Sequence, residues 1–558
     1  MSIRGFRLHD SGTGGRAGRI NFTELARTRL AFAGKFRPLI SAMVLRLALL
    51  VAALAAGLST APAAPDRHVV VLVWDGMRPD FVSAETTPNL SQLAGSGVFF
   101  ANHHPVYLSA TEVNGTAFAT GAYPSHSGLI ANTDFRPAID PTAPVDTGDP
   151  SIIRKGDEVS GGHFIALPTL AEILHSHGIA TVIAGSKWIV LLHDRDRRPD
   201  GTESSPVLFQ GTLLPPARQG TLAVLGDLPA AAPDENKTAQ DAWTTNALLT
   251  VLWQNGVPPY TLLWLAEPDA SQHAAGPGSA QALAAIKSSD ANLGHVLAEL
   301  DRRGLRATTD VLVVSDHGFS TIGRKVDVAA ALAAAGFDAQ RKMPGGLLPG
   351  GVMVAANGGS TLLYVGGHDA GVSRRLVEFL QKQDWTGVIF SRGPQEGAFP
   401  LAAAHIDAPD APALVVSLRW TADKSATGAP GLQVSDLKPT SVKAGNHASL
   451  SRYDMHNTLV AAGPDFRPGV TDPLPSANTD LAPTILWLLG YKAEAARMDG
   501  RVLAEALTVE GPPLKSFETR RLTAQRDTGA GVWRQYLQVS EVNGVRYLDE
   551  GNGVFEPK

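Results

Sequence analysis

The chain contains no cysteine. That absence excludes thiolate metal sites, disulfides and a cysteine nucleophile together. A long apolar run is missing too. The main candidate, residues 47–58, is an uncharged stretch of 12 residues rich in Leu and Ala, whereas a membrane span takes about 20. Arg37 and Arg46 precede it and Ala61-Pro-Ala63 follows it. This is the layout of a secretory signal: basic leader, short apolar core, small-residue cleavage site. Met43 would begin a signal of ordinary size, making residues 1–42 an over-extended start; an uncleaved anchor is the alternative. Basic charge is scarce beyond residue 64, where 39 Lys/Arg face 51 Asp/Glu, while residues 1–64 carry a net +7. An acidic body, exported to the periplasm or secreted, is poorly suited to hold nucleic acid by bulk charge, so any phosphate must be held locally. Internal repeats and long low-complexity tracts are absent as well.

What the chain does have is a set of apolar runs that end on acids. They are His68-Val-Val-Val-Leu-Val-Trp-Asp75, Tyr260-Thr-Leu-Leu-Trp-Leu-Ala-Glu-Pro-Asp269 and Asp310-Val-Leu-Val-Val-Ser-Asp316. Each has the length and aliphatic make-up of a strand buried on both faces of a parallel sheet. From about residue 66, strand and helix patterns alternate. Helices are predicted over 90–96, 112–120, 170–178, 281–303 and 480–489, and further strands over 180–184 and 457–462. The fold class is therefore α/β with a mostly parallel central sheet. Residues 196–240, polar and rich in Pro and Gly, read as a surface excursion. Between 320 and 440 the pattern changes to that of a small α+β insertion. Residues 533–547 alternate around Asn543-Gly544, a hairpin signal. The layout is an extension with signal over 1–64, a main body over 65–505 carrying the insertion at 320–440, and a hairpin extension over 506–558.

In open α/β sheets, chemistry gathers at the carboxyl ends of the strands. Asp75, Asp269 and Asp316 stand at such ends, with His273 four residues after Asp269 and His317 directly after Asp316. One helical turn would set Asp269 and His273 on the same side. Carboxylates with imidazoles suit zinc, because imidazole favours it over magnesium or calcium. A single strand-end Asp is as readily a helix or turn cap. Three together, two beside histidines, argue for metal. Thr111 opens a predicted helix, where free N–H groups and the helix dipole favour an anion. Asn114, three residues on, could donate to a phosphoryl oxygen. From this segment alone an ordinary N-cap is the simpler reading of Thr111.

The motifs taken in order say more. Asp75-Gly-Met-Arg-Pro-Asp80, Thr87-Pro-Asn-Leu90, Thr111-Glu-Val-Asn114, Gly121-Ala-Tyr-Pro-Ser-His-Ser-Gly128, Glu267-Pro-Asp269 with His273, and Ser315-Asp-His-Gly318 follow one another along the chain. The series resembles the type I phosphodiesterase/nucleotide pyrophosphatase branch of the alkaline phosphatase superfamily over roughly residues 66–505. Gly463-Pro-Asp-Phe466 and Met498-Asp-Gly-Arg501 fit its closing pattern. The resemblance implies an alkaline-phosphatase-like three-layer sandwich and a site for two Zn2+. It assigns Asp75, Thr111, Asp316 and His317 to one metal, and Asp269, His273 and a later histidine to the other. That histidine is expected at His447, with His456 and His405 as rivals, although the family usually follows it with Gly and here Ala448 stands. The implied chemistry is cleavage of phosphodiester or pyrophosphate bonds in a small phosphate ester through a phospho-threonine, with Asn114 steadying the phosphoryl group. Sulfatases share the fold but use a Cys/Ser-x-Pro-x-Arg context, which Thr111-Glu-Val-Asn-Gly115 lacks. Lys187 keeps a phosphomonoesterase or phosphonate hydrolase open, because branches acting on terminal phosphate place a lysine near this point. An inactive exported binding domain is the non-enzyme alternative.

Overall fold

A computed structural model of the chain describes residues 67–195, 205–231, 236–509, 511 and 517–558. The proposed signal and early start fall on residues 1–64, outside the described residues. The centre of the fold is a nine-stranded sheet. Its strands are β1 (His68–Trp74), β2 (Val98–Phe100), β3 (Thr181–Gly185), β4 (Val207–Phe209), β5 (Thr212–Leu214), β6 (Tyr260–Leu265), β7 (Thr309–Val314), β8 (Leu459–Ala462) and β9 (Val470–Asp472). They lie in the order β9-β2-β8-β7-β1-β6-β3-β4-β5. Strand β1 pairs in parallel with both β7 and β6, His68 opposite Thr309 and Trp74 opposite Leu265. Two strands, β8 and β5, run against the rest.

The apolar runs are continuous because both faces of the sheet are covered. Val69, Val71 and Val73 point into one core with Val113, Ala117 and Phe118 of helix α1 (Thr111–Thr120). Val70, Leu72 and Trp74 point into the other with Ile286, Leu293 and Val296 of helix α2 (Ala280–Arg302). That is three layers, helix on sheet on helix. Each aliphatic side chain so buried contributes roughly 1.5–3 kcal/mol.

The reading of residues 196–240 as a surface excursion is corrected in part. Strands β4 and β5 extend the main sheet at its edge, joined through Gln210 and Gly211 at φ 44° and 78°. Each is three residues long and flanked by Pro, too short for periodicity to mark.

Between β7 and β8 the chain builds two further sheets. One has six strands, including Val352–Asn357, Ser360–Val365, Leu414–Leu418 and Thr386–Ser391, backed by the helix Ala370–Leu380. The other has four and includes Ser320–Val326 and Gly445–Asn446. The Asn543-Gly544 turn joins Gly531–Val542 to Val545–Pro557, and Phe517–Asp527 adds a third strand. Among the described residues no helix is long and apolar enough to cross a membrane.

Candidate active site and metal centre

Three loops leave the carboxyl ends of β1, β6 and β7 and lock onto one another. The Asp269 N–H donates to the Asp75 carbonyl at 2.9 Å, and the Gly76 N–H donates to Asp316 Oδ1 at 3.0 Å. Gly76 has a φ of 72°, and a Cβ there would lie 3.0 Å from the Phe319 ring and 3.3 Å from Asp269 Cα. Only glycine meets both demands.

The strand pairing of the second small sheet delivers the later histidine. Ser320 faces Asn446 and Thr321 faces Gly445, so the two ends of the intervening chain are zipped together. His317 and His447 flank that zip, and their rings stack with centroids 3.7 Å apart. His273 comes from the short helix Asp269–Ala275, one turn after Asp269, with Nε2 3.3 Å from Asp269 Oδ1. His447 Nε2 is 3.6 Å from the same oxygen. His317 Nε2 lies 3.3 Å from Asp316 Oδ2, 3.6 Å from Asp75 Oδ1 and 3.2 Å from Thr111 Oγ1.

Two features show that this donor set fits divalent metal. First, every imidazole has Nδ1 held by a carbonyl: His273 by Gly445, His317 by Gly318 and His447 by Ser109, at 2.8–2.9 Å. That tautomer turns each Nε2 to the centre as a lone-pair donor, the usual arrangement behind a metal-binding histidine. Second, Asp75 Oδ1, Asp269 Oδ1 and Asp316 Oδ2 are buried without a hydrogen-bond partner. A buried carboxylate oxygen left bare is costly unless a cation meets it. Two groups place one ligand atom from each member within 4.8 Å of the others: Asp75, Asp316 and His317, and Asp269, His317 and His447.

The electrostatics agree. Burial, reinforced by the Asp316 carboxylate, holds the Asp75 carboxyl well above its ordinary range. Burial acts the same way on Asp269, but Lys187, His273 and His447 outweigh it and hold that carboxyl well below. Burial, then the neighbouring His317, keeps His447 far down, and burial lowers His273 too. Neutral imidazole is the state that binds metal.

Thr111 opens α1 behind the extended Ala110, which offers no side-chain cap, and Gly121 ends the helix at φ 63°. Asn114 is not brought to the centre. Its amide nitrogen donates to the carbonyls of Val106, Leu108 and Ala110, and its oxygen accepts from Val106 N–H and Asn478. Lys187 is brought in, but its ammonium bonds Asp75 Oδ2 at 2.8 Å and Asp269 Oδ2 at 3.0 Å. Burial would lower its pKa; Asp269, Asp75 and Asp316 together raise it well above lysine's usual value. His456 lies elsewhere, bonded to Ala101 and beside His104, and His405 stacks on Tyr123.

The motifs did not single out two residues beside Thr111. Asn132 Oδ1 accepts from the Glu112 N–H at 3.0 Å, which sets its amide against the first turn of α1. The Glu112 carboxyl has one buried oxygen without a partner, and burial and Asp146 push it up to about 8. Glu112 lies inside the Thr111-Glu-Val-Asn114 motif but carries no signal of its own, and Asn132 stands in no local pattern, so only the fold places it here.

A family model described as type I phosphodiesterase/nucleotide pyrophosphatase matches residues 69–425. Bis(5'-adenosyl)-triphosphatase of Xenopus laevis is 22% identical over 254 residues, 45% of this chain and 47% of that protein. Mouse ectonucleotide pyrophosphatase/phosphodiesterase family member 7 is 24% identical over 292 residues, 51% of this chain and 57% of that protein. The chain thus spans about half the length of the curated relatives it matches. Among solved structures, murine ectonucleotide pyrophosphatase/phosphodiesterase 5 superposes with a TM-score of 0.54 at 17% identity, covering 76% of this chain and 95% of that one. Its inactive threonine-to-alanine variant in complex with AMP gives a TM-score of 0.53. These likenesses establish the alkaline-phosphatase-like sandwich. With the family model covering most of the described body, the chain belongs to the type I phosphodiesterase/nucleotide pyrophosphatase family.

Proposed function

We propose that the protein is an exported two-zinc phosphohydrolase that cleaves phosphodiester or pyrophosphate bonds through a phospho-threonine on Thr111. The observation that carries this is the gathering of three bare carboxylate oxygens with the His317 and His447 imidazoles into two groups that share His317, whose Nε2 lies 3.2 Å from the Thr111 hydroxyl. Asp75, Asp316, His317 and Thr111 would hold one cation, and Asp269, His273 and His447 the other. Bound there, the cations supply Lewis-acid charge to the phosphoryl oxygens and favour the alkoxide of Thr111. Thr111 Oγ1 then forms a bond to phosphorus as the bond to the leaving oxygen breaks, and its proton passes to solvent. Water attacks the phospho-threonine, breaks that ester and restores the hydroxyl. We assign the phosphoryl hydrogen bonds to the Thr111 N–H and the Asn132 amide rather than to Asn114, whose amide is already spent. The murine neighbour that is inactive as a threonine-to-alanine variant and holds AMP supports both the nucleophile and a nucleotide-like substrate.

Diester cleavage is favoured over monoester cleavage because the Lys187 contacts are to carboxylates, not to an open phosphate position. The test is a rate comparison on p-nitrophenyl phosphate, bis-p-nitrophenyl phosphate and p-nitrophenyl thymidine monophosphate, with zinc analysis and a Thr111→Ala control. We expect the two diesters to lead, about two zinc per chain, and zinc retained while turnover vanishes in Thr111→Ala. A Thr111→Ala variant keeping more than about a tenth of wild-type turnover would return Thr111 to a helix cap. A protein without zinc after zinc-supplemented purification would be the inactive binding domain.

A further inference from the structure

The site holds three buried carboxylates, Asp75, Asp269 and Asp316, at most 5% exposed. Among the described residues, Lys187 is the one lysine or arginine that bonds any of them. Its two contacts are selective. Nζ takes Oδ2 of Asp75 and Oδ2 of Asp269, which belong to different metal groups, and leaves both Oδ1 atoms bare. Trp264 Nε1 adds a third hold on Asp75 Oδ2 at 2.9 Å. The lysine therefore sits behind the ligands, not in their place.

Its backbone is fixed by a buried bracket. Ser186 Oγ donates to Asp241 Oδ1, and Asp241, 1% exposed, also accepts from the Ala266 N–H at 2.9 Å and the Glu267 N–H at 3.1 Å. Asp241 thus ties the residue before Lys187 to the turn that carries Asp269. A flexible surface lysine needs no such anchorage, because the conformational entropy it keeps in solvent favours leaving it free.

We propose that Lys187 is a positioning residue that serves as the site's resident counter-ion. Held by the Ser186–Asp241 bracket, it balances Asp75 and Asp269 so that the ligand set is folded and aligned before metal arrives. The inference rests on the two-metal reading. Its physical basis is that buried carboxylates stripped of that ammonium repel one another, whereas two dications would supply the missing charge. Lys187 should therefore matter to the metal-free protein far more than to the zinc-loaded one.

The experiment is thermal unfolding of wild type, Lys187→Met and Lys187→Arg, each after chelation and each with saturating zinc. In the chelated protein Lys187→Met should melt about 3–5 °C below wild type, the shift expected from leaving two buried carboxylates without their partly buried lysine partner in a body of this size. Zinc should close most of that gap, and Lys187→Arg, which keeps the charge, should stay near wild type in both forms. Equal losses with and without zinc would make Lys187 an ordinary structural lysine and overturn the inference. So would a Lys187→Met protein whose melting is unchanged in both forms while monoester hydrolysis alone falls; the lysine would then belong to the substrate. Wild type indifferent to zinc would sink the two-metal reading itself, and this inference with it.

Discussion

At the scale of single residues, the site is decided by which histidine follows the insertion. His447 and His456 are nine positions apart in one stretch, and spacing alone does not separate them. The fold does, because the Ser320–Asn446 pairing puts His447 on His317 while His456 turns to the Ala101 carbonyl. His447→Ala should release zinc from the Asp269 group, and His456→Ala should not. Zinc stoichiometry of the two variants is the measurement, and the reverse result would move the ligand. Ala448 carries a related signal. The family's usual glycine is missing there, yet the backbone keeps the left-handed shape that glycine favours, at φ 73°. A left-handed non-glycine residue costs roughly 1–2 kcal/mol, partly offset by the entropy that glycine loses on folding. Ala448→Gly should therefore be neutral to mildly stabilising in urea unfolding, with activity retained. A destabilisation of more than about 1 kcal/mol would mean that the Ala448 methyl packs usefully.

At the scale of elements, most of the scaffold was legible in the sequence. The acid-tipped strands, the α1 and α2 helices and the 533–547 hairpin announce themselves by composition, period and turn residues. What stayed hidden depends on partners distant in sequence. Asn114 looked like a phosphoryl donor because it lies one turn beyond Thr111, but its amide instead buckles the segment 106–110 onto α1. Nothing local announces that choice, which is made chiefly by Val106, whose N–H and carbonyl are both met by the Asn114 amide, while the Leu108 and Ala110 carbonyls also accept backbone N–H groups. Asn114→Ala should accordingly cost about 2–3 kcal/mol of stability by leaving buried backbone groups unpaired. Equilibrium unfolding measures it. A variant of wild-type stability but about a hundredfold slower turnover would put Asn114 back on the phosphoryl group. Asn132, Asp241 and the Lys187 contacts were hidden for the same reason: each joins loops that only the folded sheet brings together.

At the scale of the whole molecule, the sheet bears the acids of the candidate metal centre at one end and a different pair at the other. Strand β7 runs from buried Asp310 towards Asp316. Asp310 is 1% exposed, its Oδ1 accepts from the Asp465 N–H at 3.2 Å, and Arg67 pairs with Asp465, at 3.3 Å. Burial and then the Asp465 carboxylate raise the Asp310 carboxyl from 3.8 to about 8. Between those values the folded chain holds a proton that the unfolded chain has released. The Asp310 contribution to stability then falls as pH climbs from about 4 to about 8, by at most ~1.4 kcal/mol per pH unit for one proton, and levels off above. Asn at this position keeps the Oδ1 acceptor and cannot ionise. Asp310→Asn should therefore remove that contribution, matching wild type near pH 4.5 and exceeding it increasingly towards pH 8. Thermal melts of both proteins in chelator, which removes the metal's own pH dependence, are the measurement. Parallel curves for the two would show that Asp310 is already ionised at neutral pH, and that Arg67 balances both acids.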